Sequence, residues 1–517
     1  MLERGLCCEN GINPKAVYDF VRSCEEKNIG IDSFMLLKNG KVVSEGYYPP
    51  YTNETAHVLY SMSKSFTATA LGFAIAEGKI SLDDSVSDFF PEYDKKGKSR
   101  EVKIRHLVSM TAGKFIGMAK ARHNRDWVKI FFDAPIVAKP GTWFFYVNDN
   151  FYMLSAIISK VYGVTLVDFL YPRLFEPLGI KKPVWEVDKF GYAAGGWGLY
   201  MPIEDQAKVL YCYSQNGMYN GKQVIPAEWI AQATKYQVPT VKRGQIEVTQ
   251  GYGFGFWMSS LPNTYRAYGL HGQNGYVFKD KDTVLMINCG ISKDAYLCAE
   301  IAKLYENLWS EPEKEYEDIL KNYTENLADK DDLPAQERNF RLEDELCISD
   351  LSTHSTSFGS VLHATVTTVM NENIGKITHF GLTKDEERNL YLEWTESGVT
   401  NKIKLGLNNK YECSEVTLGN INYHAYAKAA WTKGKVFTVY IRIGETCHLR
   451  VFDFDFSGKQ LVVRNESFPD LKNLASYYLD FLGFPLPEKL EGVLFKYVAP
   501  AILAVGEPNF RVKSRLL

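Results

Sequence analysis

Strand-forming runs stand at both ends of the first 310 residues, with helix-forming runs between them. This arrangement limits the fold more than any single motif does. Near the N-terminus, Phe34-Met35-Leu36-Leu37, Lys38-Asn39-Gly40-Lys41 and Val42-Val43-Ser44-Glu45-Gly46 predict a hairpin on an Asn-Gly turn. At the far end, 252–258 interleaves strand residues with glycine, and 268–278 and 283–288 predict two adjacent strands. Helices are expected over 14–28, from Ser61 onward, over 104–113 with a glycine stop, and near 150–162, 165–175 and 203–216. The fold class predicted is α+β: one antiparallel sheet built from both ends of the region, flanked by helices, with a helical insert.

The chain has 517 residues, too many for one ordinary domain. Residues 311–335 are charged, contain Pro312 and Pro334, and predict a linker helix plus loop. After about 340 short alternating runs recur, among them 390–394, 403–405, 436–441 and 449–452, with turn residues between them. The expected division is a first domain over 1–310, a linker over 311–339, and a mainly antiparallel β domain over 340–517 that adds helix near 470–506.

The charge balance is near −3, which gives no electrostatic footprint for nucleic acid or an anionic membrane. The nine cysteines are odd in number and form no C-x-x-C pair, which argues against a disulfide scaffold and a zinc site. The N-terminus lacks an apolar core of signal-peptide length, and the apolar run 493–505 is broken by Lys496 and Pro500. A reduced, cytoplasmic protein with no metal and no organic cofactor is expected.

Chemistry enters at Tyr60-Ser61-Met62-Ser63-Lys64-Ser65-Phe66. A small and apolar run to Ala76 follows, and Gly78 stands where a helix C′ glycine would. If Ser61 opens this helix, Lys64 lies one turn on, along the same face. Serine is a weak nucleophile near neutrality and needs an adjacent base. A lysine serves only when neutral, so burial or a neighbouring cation must depress its pKa. In isolation the pattern is better described as a serine N-cap with a solvated lysine on the first turn.

Ser61-Met62-Ser63-Lys64, Tyr146-Val147-Asn148 and Leu270-His271-Gly272-Gln273 occur in the order and approximate spacing of the penicillin-recognising serine hydrolases. The chain resembles that superfamily, with its class C β-lactamases, D-amino-acid peptidases and β-lactamase-like esterases, over roughly residues 15–310. Supporting stretches include Lys139-Pro140-Gly141, Gly195-Gly196-Trp197 with Asp205, and Gly251-Tyr252-Gly253-Phe254-Gly255. The resemblance implies roles. Ser61 forms an acyl-enzyme and Lys64 shares its proton. Tyr146 is a general acid/base, and Asn148 bonds Lys64 and the substrate. The backbone N–H groups of Ser61 and Gln273 form an oxyanion hole.

The third motif departs from the family pattern. Lys-Thr-Gly, or a His in place of the Lys, is common there, whereas this chain has Leu270-His271-Gly272. The cation that would hold a substrate carboxylate is missing from its place. In a strand His271 would face away from Leu270, and it is either a structural or a catalytic histidine. His57 and His106 are expected to be structural. The expected activity is hydrolysis of a small-molecule ester, amide or peptide. Acyl transfer on the same machinery and a catalytically weak binding or sensor protein are the alternatives.

Overall fold

The structure is a computed structural model that describes residues 1–114, 126–241, 245–330, 346–348, 360–362, 377–407, 410–418, 421–458, 460–470 and 514–515. They fall into two compact units, one over Met1–Ala328 and a second that begins at Asp329. The first unit thus runs past residue 310. The helix Tyr316–Glu325 packs on the helix α1 (Pro14–Glu26), and Glu317 accepts the backbone N–H groups of Cys7 and Cys8, both at 2.8 Å.

A seven-stranded sheet organises the first unit. Its strands are β1 (Glu3–Arg4), β2 (Ile31–Lys38), β3 (Lys41–Tyr47), β4 (Trp257–Met258), β5 (Thr264–Gly269), β6 (Gln273–Phe278) and β7 (Thr283–Cys289), in the order β1-β3-β2-β7-β6-β5-β4. Every pairing is antiparallel except that of β1 with β3. The two ends of the region meet where β2 pairs with β7, Leu36 opposite Leu285 and Met35 opposite Met286. Between β2 and β3, Asn39 and Gly40 both take positive φ, 53° and 77°, as the Asn-Gly hairpin turn requires.

Alternation divides the sheet's side chains between two layers. Phe34, Leu36, Tyr276, Phe278, Leu285 and Ile287 join Val17, Phe20 and Val21 of α1 and the buried residues of a C-terminal helix in one core. On the other face lies the insert: α2 (Ser63–Ala76), α3 (Asn148–Tyr162) and α4 (Ile203–Ser214). A helix of this insert approaches the sheet so closely that a Cβ on Gly275 would stand 2.2 Å from Leu210 Cδ1. The C-terminal helix of the first core is α5 (Asp294–Asn307).

α2 is buried from Ser63 to Ala74, on all sides, so it forms the centre of the insert. It ends in a Schellman motif. Gly78, at φ +67°, donates to the Ile75 carbonyl at 2.9 Å, and Lys79 donates to Ala74 at 3.0 Å. The helix expected over 104–113 stops earlier, at Val108. Met110 takes φ +62° itself, and Thr111 N–H turns back to the His106 carbonyl at 2.7 Å.

Among the described residues the strands of the second unit pair antiparallel. One sheet has four strands, Leu346–Ile348, Ile377–Lys384, Leu390–Glu396 and Val399–Lys404. Another has six, from Glu412–Leu418 through Gln460–Phe468 to Ser514–Arg515. Leu390, Leu392, Trp394 and Glu396 are buried while the residues between them are partly exposed, the period-2 signature of a strand with one inner face. The helical segment expected over 470–506 lies, past Asp470, outside the described residues.

Candidate active site

Ser61 sits in a single 3-10 turn, Tyr60–Met62, that feeds α2, and the α-helix proper begins at Ser63. Tyr60 enters this turn with φ +46°, a conformation that costs a bulky L-residue on the order of 1–3 kcal/mol. Its ring is held edge-on to His271, centroids 5.6 Å apart. Of the three neighbouring serines only Ser61 has an accessible side chain. Ser63 Oγ accepts the Leu199 N–H at 3.2 Å, and Ser65 Oγ donates to the Gly255 carbonyl at 2.7 Å. Both bonds tie α2 to surrounding loops.

Lys64 is 1% exposed and its Nζ has three close oxygens: Ser61 Oγ at 2.8 Å, Asn148 Oδ1 at 2.7 Å and the Gly196 carbonyl at 2.7 Å. Asn148 is the first residue of α3, so two helix N-termini converge on this amine. Burial holds Lys64 well below the ordinary lysine range, opposed by the Asp149 carboxylate. Asp149, next on α3, is in turn pushed up to about 7 by burial, opposed by its own backbone N–H and by Lys64.

Tyr146 approaches from the side. Its ring centroid lies 4.8 Å from Lys64 Nζ. Behind it stand Trp257, Tyr252 and Phe144, with centroids at 5.2, 6.2 and 6.3 Å. These buried rings exclude water from one flank of the amine, which favours its neutral form.

The stretch 270–273 is not the continuous strand that alternation predicts. β5 ends at Gly269 and β6 begins at Gln273, and these two residues pair across a tight turn. His271 at φ +65° and Gly272 at φ +88° make that turn, so the argument from opposite strand faces does not apply to Leu270 and His271. Leu270 is half-buried and His271 buried. Burial lowers the His271 imidazole to about 4, and its Nδ1 lies 3.4 Å from the Ile291 carbonyl. The Gln273 side chain donates to the carbonyls of Leu270, at 3.2 Å, and Cys289, at 2.6 Å, and so ties the turn to β7. A Cβ on Gly269 would stand 2.2 Å from the Leu59 carbonyl oxygen and 3.2 Å from Met62 N. The hairpin therefore abuts the Ser61 turn directly.

Ser61, Lys64, Asn148 and Tyr146 thus come together around one amine, and the turn 270–273 lies against the turn that carries Ser61. Two participants escaped the sequence. Gly196 contributes a backbone carbonyl, and its only signal is the glycine pair Gly195-Gly196. Asp149 stands one position past the Tyr-Val-Asn triplet. His57 lies elsewhere, with Nε2 3.1 Å from Asp32 Oδ2, and His106 Nδ1 accepts the Lys103 N–H at 3.2 Å. Among the described residues no group of three or more His, Cys, Asp or Glu could hold a metal ion, and no single helix is long and apolar enough to cross a membrane.

A family model described as Beta-lactamase matches residues 21–293. The chain belongs to the beta-lactamase family. Within it, a beta-lactamase of Escherichia coli K12 is 29% identical over 134 residues, 26% of this chain and 35% of that protein. The chain thus spans about a third of that relative's length. The 6-aminohexanoate-dimer hydrolase of Paenarthrobacter ureafaciens is 22% identical over 286 residues, 49% of this chain and 71% of that protein. A penicillin-binding protein homologue from Caulobacter crescentus superposes with a TM-score of 0.50 at 16% identity, over 59% of this chain and 99% of that one. The family's fold is that of hydrolases, and the α+β first unit with its helical insert is this chain's version of it.

Proposed function

We propose that this protein is a serine hydrolase that cleaves small neutral esters or amides through an acyl-enzyme on Ser61. One observation carries the reading: a buried lysine Nζ lies 2.8 Å from Ser61 Oγ, with Asn148 Oδ1 and the Gly196 carbonyl at its other two positions. Both of those oxygens can only accept. A neutral Lys64 would donate its two N–H groups to them and turn its lone pair to the Ser61 hydroxyl, which is the arrangement of a general base.

In the reaction, Ser61 Oγ attacks the carbonyl carbon as its proton passes to Lys64 Nζ. The N–H groups of Ser61 and Gln273 receive the developing oxyanion. Tyr146 relays a proton to the leaving group, which departs as the acyl-serine forms. Water then adds to the acyl-enzyme, the same groups returning the protons. The motif resemblance puts Leu270 at the position of the family's cation, so a substrate carboxylate gains no charge-assisted bond there and neutral substrates are preferred. The hydrolase named for the 6-aminohexanoate dimer lends support to amide cleavage within this family.

The test is labelling of the full chain with a fluorophosphonate probe, followed by mass mapping. Labelling is expected on Ser61 and is expected to vanish in Ser61→Ala. Labelling that maps to Ser63 or Ser65, or persists in Ser61→Ala, would contradict the assignment.

A further inference from the structure

The segment 194–198 is held from both sides. On the near side, two of its carbonyls bind α2: Gly195 accepts from Thr67 Oγ1 at 2.7 Å, and Gly196 from Lys64 Nζ at 2.7 Å. On the far side, one residue takes both ends. Glu186 N–H donates to the Gly198 carbonyl at 2.8 Å, and the Glu186 carbonyl accepts from Ala194 N–H at 2.9 Å. The Glu186 side chain, 7% exposed, then accepts from Tyr200 Oη at 3.0 Å and from the Trp197 indole N–H. Gly198 takes φ +81°, and a Cβ there would stand 2.8 Å from Glu186 Cβ. The segment's backbone is therefore laid directly on this side chain.

A buried carboxyl is expensive unless its acceptor sites are filled. Here two donors fill them, from either side of Gly198, and burial still pushes the group up to about 7. A leucine could occupy the space but could accept from neither donor. Trp185 Nε1 also donates to the Trp197 carbonyl at 2.7 Å, so no residue from 194 to 198 is left to set its own height over Lys64.

We infer that Glu186 is a positioning residue for the Ser61 centre. By clamping Trp197 and Tyr200 it fixes the Gly196 carbonyl against Lys64. The inference rests on the reading of Ser61 and Lys64 given above and extends it to a group outside the three motifs. The titratable groups facing Lys64 are Tyr146 and Asp149, and the one facing Glu186 is Tyr200. Releasing the clamp lets the Gly196 carbonyl drift. Lys64 then loses an acceptor that favours its ammonium form, and its lone pair is less well aimed at Ser61.

The experiment is single-turnover acylation of the full chain by p-nitrophenyl butyrate across pH, for wild type, Glu186→Gln and Tyr200→Phe. Both variants are expected to lose about ten- to a hundredfold in the acylation rate constant, with KM little changed, as misplacement of a catalytic group does. Their acid limbs are expected to move to lower pH. If Glu186→Gln does not fold, Tyr200→Phe decides. Acylation within about twofold of wild type, with an unmoved acid limb, would overturn the positioning role while leaving Ser61 acylated. A wild type that is not acylated at Ser61 would instead remove the reading beneath it.

Discussion

Lys64 Nζ lies 2.7 Å from the carbonyl oxygen of Gly196, a residue 132 positions further along the chain. A backbone carbonyl cannot donate or ionise, so this contact constrains the amine without competing for its proton. With Asn148 Oδ1 in the second position, the third direction of Lys64 is left to Ser61.

The first consequence concerns pH. Lysine ordinarily titrates near 10.4, and burial holds Lys64 well below that range. The neutral base is lost as pH falls through the lowered value, so acylation should rise with pH and level off well before 10. The Asp149 carboxylate opposes the lowering. Asp149→Asn should therefore shift the acid limb further down in a pH–rate profile on p-nitrophenyl butyrate. An upward or absent shift would show that Asp149 does not act on Lys64.

A second consequence is steric. In Gly269→Ala the new Cβ would stand 2.2 Å from the Leu59 carbonyl oxygen, on the strand end that abuts the Ser61 turn. Overpacking of this kind costs about 1–3 kcal/mol. Denaturant unfolding should register that loss. The rate of Ser61 labelling should fall by at least about tenfold, because the Ser61 and Gln273 N–H groups are forced apart. Wild-type labelling in a destabilised variant would separate the hairpin from the oxyanion hole.

His271 yields a stability prediction. Its imidazole is buried and lowered from 6.5 to about 4, so the folded state binds fewer protons than the unfolded chain in that window. The stability it contributes is complete above pH 6.5 and is lost as pH falls toward 4, amounting to ~3 kcal/mol. His271→Asn tolerates the left-handed backbone and carries no such proton. Its unfolding free energy should fall less steeply between pH 6.5 and 4 than that of wild type. Equal slopes would place the acid sensitivity elsewhere.

Leu270 bears on substrate choice. A charge-assisted hydrogen bond to a carboxylate contributes about 1.5–3 kcal/mol, or roughly one to two decades of rate. Wild type should therefore hydrolyse nitrocefin poorly beside p-nitrophenyl butyrate, and Leu270→Lys should narrow the gap. Efficient nitrocefin hydrolysis by wild type would refute the argument from the missing cation.

The sheet was legible in the sequence because alternation and the Asn39-Gly40 turn are local signals, and because β2 and β7 carry matching apolar runs from opposite ends of the first unit. The Ser61–Lys64 pairing was legible because a three-residue spacing fixes a shared face even when the first residue sits in a 3-10 turn. The turn at 270–272 was not. Strand-like residues continue through 268–278, and nothing in the identity of His271 announces a φ of +65°. The stop after Val108 was hidden for the same reason, since Met110 takes a conformation usually left to glycine. Gly196 was visible as a glycine, but the direction of its carbonyl is a tertiary property. Glu186 was hidden altogether, because its donors come from the far side of a loop that follows no motif.

The proposed chemistry turns on a covalent bond to Ser61. Acid-quenching the reaction with p-nitrophenyl butyrate during its first turnover, then digesting and mapping the chain by mass spectrometry, tests it most directly. A butyryl group is expected on the peptide bearing Ser61 in wild type and none in Ser61→Ala. Release of p-nitrophenol with no adduct on Ser61, or with the adduct on another residue, would contradict it.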